Sequence, residues 1–316
     1  MTQFQSGKMR GARGLKTLGI ITTVGMFFIN IMGFVDTETN STMGCGADWP
    51  LCNGQFIPSR WNSHTIIEYA HRAVVGLVSF LLIALAIWAW RRYPRRKEVH
   101  ILVIIAVGFV IAQAALGAMA VFFTNPPTVL AIHFGFSLLA FIGVLLLTVF
   151  TWQVESSSAQ SGLRLREVPA ALKIRRLVWF ALVYTYAAVY YGAFVSSTGV
   201  GEACRDWPLC NGQLIPPLSG AVGLDFAHRV IALGALLVAV ALVVTTRASR
   251  QSRPDLYRGS LWVLVFMLLQ ALSGGYLVYD KLDLNAFLLH VSIMSGLWGF
   301  LCYLGLQVLP ASKVSE

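Results

Sequence analysis

Long apolar runs separated by short polar stretches dominate the chain. Predominantly apolar segments fall roughly at 17–35, 66–90, 101–123, 129–152, 177–196, 226–246, 260–279 and 286–309. At roughly 1.5 Å per helical residue, each can cross a hydrocarbon core about 30 Å thick. A backbone crossing lipid must satisfy its own hydrogen bonds, so each run is read as a helix. The pattern predicts an all-α integral membrane protein with eight transmembrane helices. Composition agrees: 57% hydrophobic residues, 12% charged residues and a mean hydropathy of +0.69 are too apolar for a soluble chain of 316 residues. The first run follows a basic segment as a signal peptide would. It continues to Val35 without a small-residue cleavage site and is kept as a span.

The polar stretches alternate in charge. Lys8, Arg10, Arg13 and Lys16 precede the first span, and Arg91, Arg92, Arg95, Arg96 and Lys97 follow the second. Arg164, Arg166, Lys173, Arg175 and Arg176 separate spans four and five. Arg247, Arg250, Arg253 and Arg258 separate six and seven, and Lys313 follows the last. Nineteen of the 24 basic residues thus fall on one side, which the positive-inside rule makes cytoplasmic, with both termini there. The net charge of +10 is an orientation signal. Dispersed over short loops without interleaved aromatics, it does not point to nucleic acid.

Two stretches are near copies: Cys45-Gly-Ala-Asp48-Trp-Pro-Leu-Cys52-Asn-Gly-Gln55 and Cys204-Arg-Asp206-Trp-Pro-Leu-Cys210-Asn-Gly-Gln213. Sliding the chain by 157 residues then lays Glu68-Tyr-Ala-His71-Arg72 on Asp225-Phe-Ala-His228-Arg229, Gln113 on Gln270, Gly117 on Gly274 and His133 on His290. The chain is an internal duplication. An even number of spans per repeat makes the two four-helix bundles parallel. The expected division is a first repeat over 1–152, a basic, Ser-rich cytoplasmic linker over 153–175, and a second repeat over 176–316.

Both cysteine pairs lie in the long outer loops, where disulfides persist. The spacings, with a proline inside, suit a turn that brings the sulfurs together, contributing roughly 2–3 kcal/mol on the chain-entropy reckoning. Cys204 and Cys210 are read as a structural staple; for Cys45 and Cys52 a staple and a redox role both stand. A zinc site is a further reading, with spacing wider than ribbon sites use. Cys302, opposite Leu145 in the repeat, reads as an inert core residue.

His71, His133, His228 and His290 stand at similar depth near the outer face, on the second and fourth helix of each repeat. Facing helices of a bundle are where cofactor sites are built. Two facing imidazoles are an axial pair for haem iron, so two pairs predict two haem sites. His64 and His100 align with Ala221 and Tyr257 at span edges and read as interfacial residues. Arg72 and Arg229 suit haem propionates or serve as interface anchors. Gln113, Gly117, Gln270 and Gly274 read as helix-packing positions. Glu68 precedes His71 by three residues, on the same helical face. An electron carrier needs no carboxylate there, whereas oxidation of a porphyrin periphery could use one to take a proton or to stabilise developing charge. The counterpart Asp225 is shorter, so the duplicated sites predict one catalytic haem and one cofactor haem.

Eight spans in two repeats, the Cys…Trp-Pro-Leu-Cys loops and Glu-x-x-His-Arg together resemble the haem A synthase family, of the type with two cysteine pairs. The resemblance covers nearly the whole chain. It implies oxidation of one methyl of haem O to a formyl group, giving haem A for cytochrome oxidase. It further implies that His71 and His133 bracket haem O, that Glu68 serves the oxidation, and that His228 and His290 hold a resident haem b. It implies a bacterial cell membrane with the cysteine loops on the outer face, an electron acceptor, and contact with haem O synthase or oxidase assembly factors; a homo-oligomer is compatible with it. The first cysteine pair would be a candidate relay. One departure stands out: the family's Thr-Gly-x-Gly run survives as Thr198-Gly-Val-Gly201, whereas the first repeat reads Val35-Asp-Thr-Glu38-Thr-Asn-Ser-Thr-Met-Gly44. Three rivals remain on the residues alone. A di-haem cytochrome b leaves Glu68 idle, and a membrane thiol-disulfide oxidoreductase leaves the histidines idle. A transporter lacks the paired Gly/Pro breaks expected at midplane.

Overall fold

The structure, a computed structural model, describes residues 2–124, 126–155 and 165–310, with the backbone alone at 2–12 and 155. Arg164, Lys313 and much of the expected linker lie outside the described residues. Among the described residues eight α-helices form the fold: α1 Thr2–Glu38, α2 Ser63–Arg92, α3 Lys97–Phe122, α4 Pro127–Glu155, α5 Leu172–Ser197, α6 Gly220–Arg247, α7 Pro254–Tyr279 and α8 Leu284–Gln307. Each contains a stretch long and apolar enough to cross a membrane, as the hydrophobic pattern predicts. Several ends are chemically marked. Asn62 caps α2 by accepting a bond from the Thr65 N–H at 2.8 Å, Pro254 opens α7, and Asp283 accepts from the Asn285 N–H at 2.9 Å at the start of α8.

α1 packs on α2 and α4, and α3 on α2 and α4; α5 to α8 repeat the pattern, with α5 against α6 and α8 and α7 against α6 and α8. The two groups meet where α4 touches α5 and α8 and where α1 touches α8. α4 and α8 are consequently central: 56% of the apolar stretch of each is buried, against 17–33% for the other six. Phe34 of α1 joins the halves through edge contacts with Phe134 of α4 and Phe287 of α8, at centroid separations of 4.6 and 5.4 Å. Small residues allow the closest approaches. A Cβ built on Gly143 would lie 2.7 Å from the Ala106 backbone nitrogen, so α3 and α4 touch main chain to main chain.

The basic end of the bundle is tied by two buried arginines. Arg253 donates to both carboxylate oxygens of Asp255 at 3.0 and 2.8 Å and to the carbonyls of Val168 and Gln307 at 2.7 Å each. Arg166 donates to the carbonyls of Leu309 and Pro310 at 3.3 Å and lies 3.6 Å from Glu98 of α3. Burial pulls the Arg166 pKa below its ordinary value, with Glu98 opposing the shift.

Gly143→Val should therefore force α3 and α4 apart and cost on the order of 1–3 kcal/mol, lowering the thermal unfolding midpoint in mild detergent. Gly108→Ala, on the same helix pair but facing open space, should leave that midpoint unchanged.

Candidate functional site

The duplicated loops are built alike. Asn53 and Gly54 take φ of 51° and 76°, and Asn211 and Gly212 take 53° and 73°. Two consecutive left-handed residues make the tight turn that Asn-Gly favours, closed by Cys52↔Gln55 and Cys210↔Gln213 bridges. Trp49–Pro50 and Trp207–Pro208 are both cis. Disulfides join Cys45 to Cys52 and Cys204 to Cys210, with Cα separations of 4.3 and 4.7 Å. All four sulfurs are thereby consumed, which removes the zinc reading; among the described residues no cluster of His, Cys, Asp and Glu could hold a metal ion directly. The departure from the glycine run also resolves. Gly199 takes φ 70° after α5, and Asn40, its counterpart after α1, takes φ 53°. Asparagine tolerates the left-handed region better than other residues with a Cβ.

Each loop is fastened to the helix beneath it by an acid and an arginine. Glu68 Oε2 accepts from the Cys45 N–H at 2.7 Å, and Asp225 Oδ2 accepts from the Cys204 N–H at 2.9 Å. Arg72 donates to the carbonyls of Asp48, at 2.8 Å, and Leu51, and pairs with Glu68 one turn away. Arg229 donates to the carbonyls of Asp206, Leu209 and Cys204 and lies 3.7 Å from Asp225. Between clasping acid and clasping arginine stands the histidine. Sequence alone aims Glu68 at the His71 site and the arginines at propionates; the structure engages all three, with Asp225, in holding the loops.

Of the four histidines, His71 stands on α2 and His133 on α4 of the first half, and His228 on α6 and His290 on α8 of the second. A glycine faces each ring. Cβ atoms built on Gly33, Gly117, Gly192 and Gly274 would lie 3.5, 3.4, 2.9 and 3.3 Å from His71 Nε2, His133 Cε1, His228 Cε1 and His290 Cε1 respectively. Each ring thus packs directly on its glycine, in the place a side chain would otherwise take. His133 Nδ1 and His228 Nδ1 are buried without a hydrogen-bond partner, as are Gln113 Oε1 and Gln270 Oε1. Two histidines in each half, with a buried ring nitrogen left unpartnered at His133 and at His228, fit haem bound through axial histidines. In the second half, Gln270 Nε2 lies 2.9 Å from His290 Nε2, and Ser273 Oγ lies 2.9 Å from His290 Nδ1. Gln270 and the paired glycines thus contact the site rather than serving helix packing alone.

His64 and His100 lie outside it, His64 against Ser41 Oγ at 3.0 Å and His100 stacked on Trp90. Cys302 is a half-buried free thiol packed against the core.

One residue escapes a reading of the sequence. Asp36 Oδ2 of α1 lies 3.7 Å from His71 Nδ1, and Asp36 Oδ1 is buried with no hydrogen-bond partner. Asn30, two turns earlier, buries both amide atoms equally unpartnered. Aligning the segments that lead into Cys45 and Cys204 puts Gly33 on Gly192, Asn30 on Val189 and Asp36 on Val195. Two polar residues facing two valines were the available signal.

The sequence profile of the family described as cytochrome oxidase assembly protein matches residues 16–302. The chain is 40% identical over 301 residues to the haem A synthase of Symbiobacterium thermophilum, covering 95% of this chain and 97% of that protein. It is 39% identical over 301 residues to that of Bacillus licheniformis (94% and 96%) and 35% identical over 295 residues to that of Bacillus cereus (92% and 92%).

Both loops should shift in mass on reduction and alkylation, and the shift should vanish in the paired Cys→Ser variants; free thiols after rapid alkylation would contradict the disulfides. Arg229→Ala should free three loop carbonyls and raise hydrogen exchange across residues 203–213 by about tenfold, since losing charged hydrogen bonds costs about 1.5–3 kcal/mol. An unchanged exchange rate would deny the clasp.

Proposed function

Because the chain belongs to the cytochrome oxidase assembly protein family, we propose that it converts haem O to haem A, oxidising one porphyrin methyl to a formyl group for delivery to cytochrome oxidase. The observation carrying this reading is the pair of histidines on the second and fourth helices of each half, in a chain similar over nearly its whole length to proteins named for that synthesis. In this proposal residues 1–152 hold the substrate haem between His71 and His133. Residues 176–316 hold a haem b between His228 and His290, with 153–175 as linker. Bound haem b supplies one-electron chemistry in the second half.

The residues divide the remaining work. The imidazoles bind and orient each macrocycle, and the glycines let the histidine rings pack against the neighbouring helices. The clasped loops close the sites at one end, limiting water entry. Breaking methyl C–H bonds releases protons, and Glu68, one helical turn from His71, is the residue proposed to take a proton or to stabilise charge there. Its bond to the Cys45 N–H and its pair with Arg72 fix its position. By the positive-inside rule the basic end, both termini and the linker face the cytoplasm, and the cysteine loops the outside of a bacterial cell membrane. There the Cys45–Cys52 disulfide serves as a staple or as an electron relay. The remaining partners of the proposal are an electron acceptor, haem O synthase and oxidase assembly factors.

Pigment extraction tests the reading. Haem O or haem A beside haem b supports it; haem b alone would favour an electron-transfer cytochrome, and absence of haem would defeat both. His228→Ala or His290→Ala should deplete haem b, whereas His71→Ala or His133→Ala should impair substrate binding or turnover with haem b retained. Equal loss of one pigment in all four would refute the division of roles. Glu68→Gln should keep its haem and lower haem A formation by about 10²-fold, with haem O accumulating. Asp225→Asn, altering the matching clasp, should have the smaller effect, and a dominant defect there would reverse the assignment of the halves.

A further inference from the structure

We propose that Asp36 is a positioning residue of the first site, its carboxylate acting as acceptor for the Nδ1–H of His71 and so leaving Nε2 as the nitrogen that would bind haem iron, so that the two haem sites would differ in ligand strength. The inference rests on the reading that His71 is an axial ligand. Four observations carry it. Asp36 Oδ2 is 3.7 Å from His71 Nδ1, within ion-pair range and longer than a hydrogen bond. The ring lies against α1 at Gly33, where a Cβ would stand 3.5 Å from Nε2, so Asp36 and Gly33 of one helix together set the position of the imidazole. Asp36 is only 6% exposed, with Oδ1 unpartnered, and a carboxylate in such a place is costly unless a donor meets it. Its repeat counterpart, Val195, is equally buried, at 5% exposure, and can accept nothing.

An acceptor on the far nitrogen of a metal-bound imidazole fixes its tautomer and ring plane and makes it a stronger donor. In the second half the contact on a ring nitrogen comes from a hydroxyl, Ser273 Oγ at 2.9 Å from His290 Nδ1, and α5 sets Gly192 and the stacked ring of Tyr191 beside His228, whose Nδ1 is unpartnered. A carboxylate pushes more electron density into the ring than a hydroxyl does and favours the ferric state. The first haem is therefore assigned the lower reduction potential of the two. That order makes electron flow from the first site to the second downhill, the direction an oxidation in the first site requires.

The test uses the full-length protein carrying both haems. Redox titration of the absorption bands, with low-temperature EPR of the ferric haems, reads the two centres, and His71→Ala identifies the first by its loss. Asp36→Asn keeps a carbonyl acceptor and removes the charge; Asp36→Val copies the second half. Both should retain haem, raise the midpoint potential of the first centre in the order parent, Asn, Val, and shift its largest EPR g value, with the second centre unmoved. Retained haem with neither potential nor g value displaced overturns the role of Asp36 and leaves the site reading standing. Loss of haem from Asp36→Asn also overturns it, since that would mark a packing residue. If His71→Ala removes neither signal, the site reading itself fails and this inference falls with it.

Discussion

A polar atom buried among lipid-spanning helices has no water to turn to, and leaving it unpaired is expensive. That constraint organises this protein. The helices satisfy their own backbones, and most buried hydroxyls bond back to a carbonyl one turn earlier, as Thr22, Thr246 and Ser260 do. Against that economy the unpartnered atoms of Asn30, Asp36, Gln113, His133, His228 and Gln270 stand out. Two of them are members of the histidine pairs, and Asp36 and Gln270 lie against His71 and His290; others, such as those of Gln153, Trp298 and Gln307, lie outside the pairs.

The clasps connect the same sites to the loops above them. In each half a single helical turn carries an acid that grips a cysteine N–H, a histidine that faces the partner helix, and an arginine that gathers loop carbonyls. The disulfide loop and the imidazole are thus positioned by neighbouring residues of one rigid element. A displacement of the loop cannot occur without disturbing the helix face that presents the histidine.

Much of this was legible in the chain. Apolar run lengths mark eight helices because lipid thickness imposes a length that few other constraints impose. The repeat offset exposes the four histidines because an ionisable residue in an apolar span is costly, and its presence in both copies points to use. The duplicated Cys-Pro-Cys loops likewise foreshadow two local disulfides. The arginines were harder: a guanidinium beside a histidine reads as anion-binding, and only the path of the loop reveals the carbonyls it meets. Asp36 was hidden because it lies in a polar, helix-ending segment, where an acid is unremarked; the extension of α1 to Glu38 folds it inside. Gly33 and Gly192 were hidden because a glycine in a span has several uses, and which ring it faces depends on the crossing of helices.

The buried arginines at the basic end act at two stages in the life of the chain. During insertion Arg166 and Arg253 count simply as positive charge, retarding passage of their segments across the bilayer. After folding they are withdrawn from solvent and bonded to Val168, Gln307, Leu309 and Pro310. A topological signal read early becomes a mechanical tie late. Replacing such a residue by lysine keeps the first message and erases the second, because an ammonium lacks the planar fork that spans several carbonyls at once. Orientation and assembly, written in the same side chains, can in this way be separated by chemistry.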